Sequence, residues 1–266
     1  MIILVTNDDG VNSKGLKVLL DALRNLRSGV GARGSVPNVY VVAPDRQRSA
    51  VGLSITLDRP LRIERLDERT FSVDGMPADC VELAIHRLME SQPDLIISGI
   101  NHGQNLGYDI YHSGTVGAAV VGTMFGIPSI AVSIADSNFD GSHHEVIWYD
   151  TAAQVALKLA KIVLERGLPR GTLLNINVPN VPASEIRGIE VTRHCRATYD
   201  VEIHHRLDPR GKEYYWLGGA FQKYGDHSET DIDVLRRRKV SVTPLRLDLT
   251  DYSVMQELSD WIVDTD

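Results

Sequence analysis

Polar and apolar positions along this chain follow two rhythms. Ile2 to Thr6 is a short apolar run that stops at "NDDG", and it predicts a buried strand. Leu16, Leu19, Leu20, Leu23 and Leu26 then recur at helical spacing, and "NVYVVAP" (38–44) predicts a second buried strand. "RPLRIERL" and "RTFSVDG" predict a hairpin that turns around Asp67 and Glu68. Next come a helix over 78–90, a strand over 94–99, a small-residue helix over 115–126 and a strand over 128–134. A helix at 150–166 leads into the strand "TLLNINVP" (172–179). Strands alternating with helices imply an α/β protein whose parallel sheet is covered on both faces. Ligands of such sheets gather beyond the carboxyl ends of the strands, at a point where strand order reverses.

Beyond about residue 186 that rhythm is lost. The stretch from Cys195 to Asp231 is rich in aromatics and turn signals, lacks a clear crossover helix, and predicts hairpins or long loops. "KVSVTPL" (239–245) predicts a strand, and Val254, Leu258, Trp261 and Ile262 give a C-terminal helix one apolar face. The expected organisation is a single domain over 1–266. Its core spans about 1–185 with 239–250, its arm about 186–235, and its last helix about 251–264.

Composition narrows the function classes. A hydrophobic content of 43% over 266 residues supplies a core, which excludes a disordered chain. A net charge of −7 argues against a nucleic-acid polymer as partner, although one small phosphate can still bind locally. Cys80 and Cys195 lie far apart and match no metal spacing, so neither a disulfide framework nor a zinc site is expected. The N-terminal apolar run has no basic stretch before it, and no run approaches the ~20 residues of a membrane span. A soluble, cytoplasmic protein with no membrane partner is expected.

"GVGARG" (29–34) matches the G-x-G-x-x-G of dinucleotide-binding turns. It follows a predicted helix and precedes a strand, the reverse of the required order, so it reads as a connecting loop. Four other segments fall where a strand should hand over to a loop or helix: "NDDG" (7–10), "APDRQRSAVG" (43–52), "SGINHGQNLG" (98–107) and "HSGTVGAA" (112–119). Adjacent carboxylates repel and are poor core residues without a partner. Asp8 and Asp9, with the Ser49 hydroxyl and the Asn101 amide oxygen, form an all-oxygen set that suits Mg²⁺ or Mn²⁺. Ser113, Gly114 and Thr115 open the small-residue helix, where hydroxyls and backbone N–H groups can cradle a phosphoryl group. Capping alone is the plainer reading of Ser113 and Thr115. Asn7, Gly103 and Asn105 lie in the same segments and are expected to meet substrate.

Several features admit plainer readings. His102 either donates a proton to a leaving oxygen or is a structural neighbour of Asn101. The His pairs at 143–144 and 204–205 read as surface loop, because adjacent side chains point apart. Arg236, Arg237, Arg238 and Lys239 read as a solvated face, whereas Arg46 and Arg48 flank Ser49 and are better placed to meet phosphate or base.

Taken together, "ILVTNDDG", "VVAPDRQRS", "VDGMPADCV", "PDLIISGINHGQNLG", "YHSGTVGAA", "TDIDVL" and "VSVTPL" resemble the survival protein SurE family of metal-dependent nucleotidases. The resemblance spans nearly the whole chain. It implies a Rossmann-like three-layer core with a mostly parallel sheet, plus a C-terminal hairpin and helix excursion used in oligomerisation. It also implies one divalent ion per subunit, Mg²⁺ or Mn²⁺, with ligands at Asp8, Asp9, Ser49 and Asn101. The implied activity is hydrolysis of nucleoside 5′- and 3′-monophosphates, with polyphosphate open as a side substrate. The implied partner is a second copy of the chain, in a homodimer or a tetramer. Two rival readings stand beside it: a phosphoaspartate route through Asp8 or Asp9, and a nucleotide-sensing module without turnover.

Overall fold

The computed structural model describes residues 1–24, 36–135, 145–196, 198–199, 202–218, 221–222 and 228–263. The G-x-G-x-x-G match at 29–34 and the His pair at 143–144 lie outside them. Strand β1 (Ile2–Thr6) is followed by helix α1 (Lys14–Leu23), β2 (Asn38–Pro44) and the hairpin of β3 (Ile63–Arg65) and β4 (Thr70–Val73). Helix α2 (Pro77–Leu83) continues into a wider turn over Ala84–Leu88, and then come β5 (Leu95–His102), α3 (Gly114–Met124) and β6 (Ser129–Ile134). Next are α4 (Tyr149–Arg166), β7 (Thr172–Val178) and β8 (Ile189–Val191). The arm holds β9 (Thr198–Tyr199), β10 (Glu202–Leu207), β11 (Glu213–Gly218) and β12 (Phe221–Gln222). Helix α5 (Asp231–Arg236), β13 (Val240–Arg246) and α6 (Met255–Val263) follow.

The main sheet runs β3-β4-β2-β1-β5-β6-β7-β13-β8. From β4 to β7 every neighbouring pair is parallel, while β3 and β13 run antiparallel to β4 and β7. Both faces are buried, and alternation along each strand shows it. Ile3, Val5, Leu95 and Ile97 pack with α1 and α4, whereas Leu4 and Ile96 pack with α2 and α3. The fold is therefore α/β with three layers, as the alternating rhythm implies. From β1 the chain moves outward through β2 to β4, then returns to β5 on the other side of β1. The reversal between β1 and β5 sets the "NDDG" and "SGINHG" segments side by side at the carboxyl edge.

Residues 186–235 depart from the expected hairpins and loops in two ways. Ile189–Val191 pairs with β13 and closes the main sheet, and Asp231–Arg236 forms a helix capped by the Thr230 side chain. Six residues are too few to show helical periodicity, which is why α5 is hard to read in the sequence. The β10–β11 pair is a separate exposed hairpin in which His205 stacks on Tyr215 at 5.0 Å. His204 and His205 reach different acids, Glu202 and Glu213, in keeping with the surface reading. Three residues of the basic run are ion-paired as well. Arg237 meets Glu190 and Asp233, Arg238 meets Glu185, and Lys239 meets Glu190.

Candidate active site

Three separate segments bond directly to the aspartate pair that follows β1. Asp8 is 4% exposed, and the first turn of α3 grips its carboxylate: the Thr115 hydroxyl donates to Oδ1 at 2.6 Å and the Thr115 N–H to Oδ2 at 3.1 Å. The Asp8 carbonyl accepts from the Arg48 N–H at 2.7 Å, which brings the loop after β2, and with it Ser49, beside the pair. Asp9 Oδ2 accepts from the His102 N–H at 3.0 Å, which brings the end of β5 and Asn101 to the same place.

Local sequence explains each approach. The β5–β6 register slips between Ser98 and Asn101, a bulge that re-aims the last residues of β5. Gly114 has no Cβ to interfere; one placed there would lie 2.9 Å from Asp8 Cβ and 3.0 Å from Pro77 Cγ. Any larger residue would push α3 away from the carboxylate. Ser113 caps α3, its Oγ accepting from the Val116 N–H at 3.1 Å. That bond leaves the hydroxyl proton available for another acceptor. The Gly114 N–H has no partner among the described residues, so it and the Ser113 hydroxyl are the open donors at this helix end.

The electrostatics are those of an uncompensated pair. Burial pushes the Asp8 carboxyl up to about 6, the Thr115 bond opposes the rise, and the Asp9 charge adds to it. Asp9 is also raised, by burial first, against the His102 N–H bond. Among the described residues, neither carboxylate has an ion pair with Lys or Arg. Asn101 donates its Nδ2 to the Gly103 carbonyl at 2.8 Å, so its Oδ1 is the acceptor that the side chain can offer to a ligand. Ser49 is exposed, and its Oγ accepts from Gln47 Nε2 at 2.8 Å. Two desolvated carboxylates with further oxygens on adjoining segments fit a hard divalent cation by donor chemistry.

Other residues expected at the site sit deeper in the scaffold. Asn7 is fully buried, and its amide closes the turn onto Gly10 and Ser13. It shapes the aspartate turn rather than facing outward. Asn105 is also buried: its N–H goes to Asn177 Oδ1, its Nδ2 to Ser133 Oγ, and its carbonyl accepts from Asn175 and Asn177. Thr115 gives both of its donors to Asp8, so it orients the carboxylate rather than a phosphate. Arg48 pairs with Asp45 and reaches the Asp74 carbonyl, whereas Arg46 is largely exposed. Gly103 lies on the bulged loop with nothing near its absent Cβ.

Sequence reasoning missed Tyr149, whose hydroxyl lies 2.9 Å from His102 Nδ1. Burial, and then the Asp9 charge, push its phenol up to about 12, so it stays protonated beside the site. It also missed Asn175 and Asn177 as loop anchors. Two amides in the otherwise apolar run "TLLNINVP" were the available signal, because buried amides require partners.

Comparison with known proteins places this geometry in context. The sequence model of the family described as Survival protein SurE matches residues 3–201. A "5'-nucleotidase SurE" of Pelobacter propionicus is 46% identical over 98% of this chain and 100% of its own length. One of the same name from Geobacter sulfurreducens is 48% identical over 98% of this chain and 94% of its own. The crystal structure of a SurE protein from Aquifex aeolicus superposes with a TM-score of 0.81 at 41% identity, covering 98% of this chain and 99% of that one.

Proposed function

Because the chain belongs to the survival protein SurE family, we propose that it hydrolyses nucleoside 5′- and 3′-monophosphates to nucleoside and phosphate, using one divalent cation per subunit. The observation that carries this reading is the aspartate pair, desolvated and without a basic partner among the described residues, set against the open donors of α3. Asp8, Asp9, Ser49 and Asn101 are the residues to hold Mg²⁺ or Mn²⁺, which when bound polarises a phosphoryl oxygen and lowers the pKa of an attacking water.

The chain's own groups supply the rest. The Ser113 hydroxyl and the Gly114 N–H, at the positive end of an 11-residue helix, hold phosphoryl oxygens. Thr115 fixes the Asp8 carboxylate, and the His102 N–H fixes Asp9. The His102 ring, oriented by Tyr149, is a candidate proton donor to the leaving ribose oxygen. A phosphoaspartate route through Asp8 fits less well, because both of its oxygens accept bonds from Thr115 and the carboxylate is buried. Phosphate release from purified protein tests the reading: a chelator should abolish it and Mn²⁺ should restore it. Binding of nucleotide without release would favour the sensing module.

We read the chain as one catalytic domain with an arm, acting in the cytoplasm as a homodimer at least. No helix among the described residues is long and apolar enough to cross a membrane. Support for a dimer comes from apolar surface left uncovered among the described residues. Leu258 and Trp261 on α6 are 42% and 58% exposed, and the β10–β11 hairpin exposes Ile203, Trp216 and Leu217. An apolar groove of about 510 Å³ runs between α3 and β13, lined by Val116, Val120, Leu173 and Leu245 among others. Light scattering should give at least twice the 29.4 kDa chain mass, and deleting 252–266 should weaken association and turnover together. A fully active monomer at micromolar concentration would contradict the dimer.

A further inference from the structure

The "TDIDVL" segment puts a fully buried carboxylate, Asp231, at a junction that the proposed chemistry does not use. Its Oδ2 accepts from the Gly107 N–H at 2.9 Å. Its Oδ1 accepts from the Cys195 N–H at 2.9 Å and from the Ile232 N–H at 2.8 Å. One side chain therefore joins the loop after β5, the strand exit after β8 and the first turn of α5. A buried charge is tolerated only when its oxygens are satisfied, so these backbone donors are required to converge on it.

Gly107 lies between the two halves of the candidate site in the chain. Upstream, the Gly103 carbonyl holds the Asn101 amide and so fixes where Asn101 Oδ1 points. Downstream, Gly107–Tyr111 forms a tight helical turn, and its Asp109 carbonyl accepts from the Ser113 N–H at 3.0 Å. Between them, Asn105 is bonded through both N–H and carbonyl to Asn177 of β7. The loop is thus clamped from the sheet by Asn177 and from the arm's stem by Asp231.

We propose that Asp231 is a positioning residue, which sets Asn101 and the Ser113–Gly114 donors relative to the aspartate pair and ties them to the arm's stem at 193–195 and 230–232. The part concerning Asn101 rests on the cation assignment above. Asp231→Asn is nearly isosteric, yet it removes the charge and turns one acceptor oxygen into an NH₂ that faces a backbone N–H. At least one clamp must then open.

The test is amide hydrogen exchange on metal-free wild type and Asp231→Asn, with Mn²⁺ titrated calorimetrically into each. The expected result is exchange at least about tenfold faster at 103–113 and 193–195, little change in α1 or α4, and Mn²⁺ affinity weaker by about tenfold, as outer contacts to ligand residues commonly give. Asp79→Asn is the comparison. Asp79 is likewise buried and accepts from Thr56 and Met76 donors, but it does not touch this loop. It should lose stability with Mn²⁺ affinity kept. Should Asp231→Asn fail to fold, Asp231→Glu retains the charge, and the same local pattern is expected in milder form. Unchanged exchange at 103–113, a uniform rise over the whole chain, or local opening with unaltered Mn²⁺ affinity would each overturn the proposal. If wild type itself binds no Mn²⁺, the cation assignment falls, and the exchange pattern alone decides whether Asp231 positions the loop.

Discussion

Asp8→Asn and Asp9→Asn should each lower phosphate release by about a thousandfold while the protein stays folded. The expectation rests on charge. Removing one anionic contact to a cation that stabilises a transition state costs several kcal/mol, and about 4 kcal/mol is a factor of a thousand. Stability should move the other way. The Asp8 carboxyl is raised to about 6 from 3.8, by burial above all. A raised carboxyl favours the fold in its protonated form, so its contribution is present below about pH 4 and is lost as pH rises through about 6. Asn cannot ionise, and its amide can accept from the Thr115 N–H while donating to the Thr115 hydroxyl. Metal-free Asp8→Asn should therefore melt no lower than metal-free wild type at pH 8. A variant that is inactive because it has unfolded would contradict this account of the pair.

Ser113→Ala and Thr115→Ala should lower turnover by roughly 10- to 1,000-fold, the span for losing one transition-state donor or its equivalent. The two act differently. Ser113 presents a free hydroxyl proton while its oxygen caps α3, so Ser113→Ala should also cost about 1 kcal/mol of stability. Thr115 acts through Asp8, and its loss releases one of two bonds that fix that carboxylate. Kinetics and melting measured on the same variants separate capping from catalysis. Loss of stability with turnover intact would leave Ser113 as a cap only.

Much of this was legible because the site sits where chain topology must put it. Alternating strands and helices implied the parallel sheet, and "NDDG" and "SGINHG" follow strands that flank the reversal between β1 and β5. The oxygen-rich residues stood out as a candidate site, since two adjacent carboxylates have few structural uses. Their division of labour was not. Asn7, Asn105 and Thr115 look like substrate ligands in the sequence, yet they bond within the scaffold: Asn7 to Gly10 and Ser13, Asn105 to Ser133, Asn175 and Asn177, and Thr115 to Asp8. Only tertiary contacts carry that distinction, because an amide or hydroxyl has the same sequence signature in either role. Asp231 was visible as part of a motif, but two of its three partners lie 36 and 124 positions away. No spacing rule reaches that far.

The assignment of the aspartate pair as the cation site is the claim on which the rest depends, and direct Mn²⁺ titration by calorimetry tests it most simply. Metal-free wild type should bind one Mn²⁺ per chain with release of little or no heat from any second site. Asp8→Asn and Asp9→Asn, folded by the same melting criterion, should bind it at least about a hundredfold more weakly, as expected when one of few anionic ligands is lost. Equal Mn²⁺ affinity in wild type and both variants would place the metal elsewhere and contradict the account.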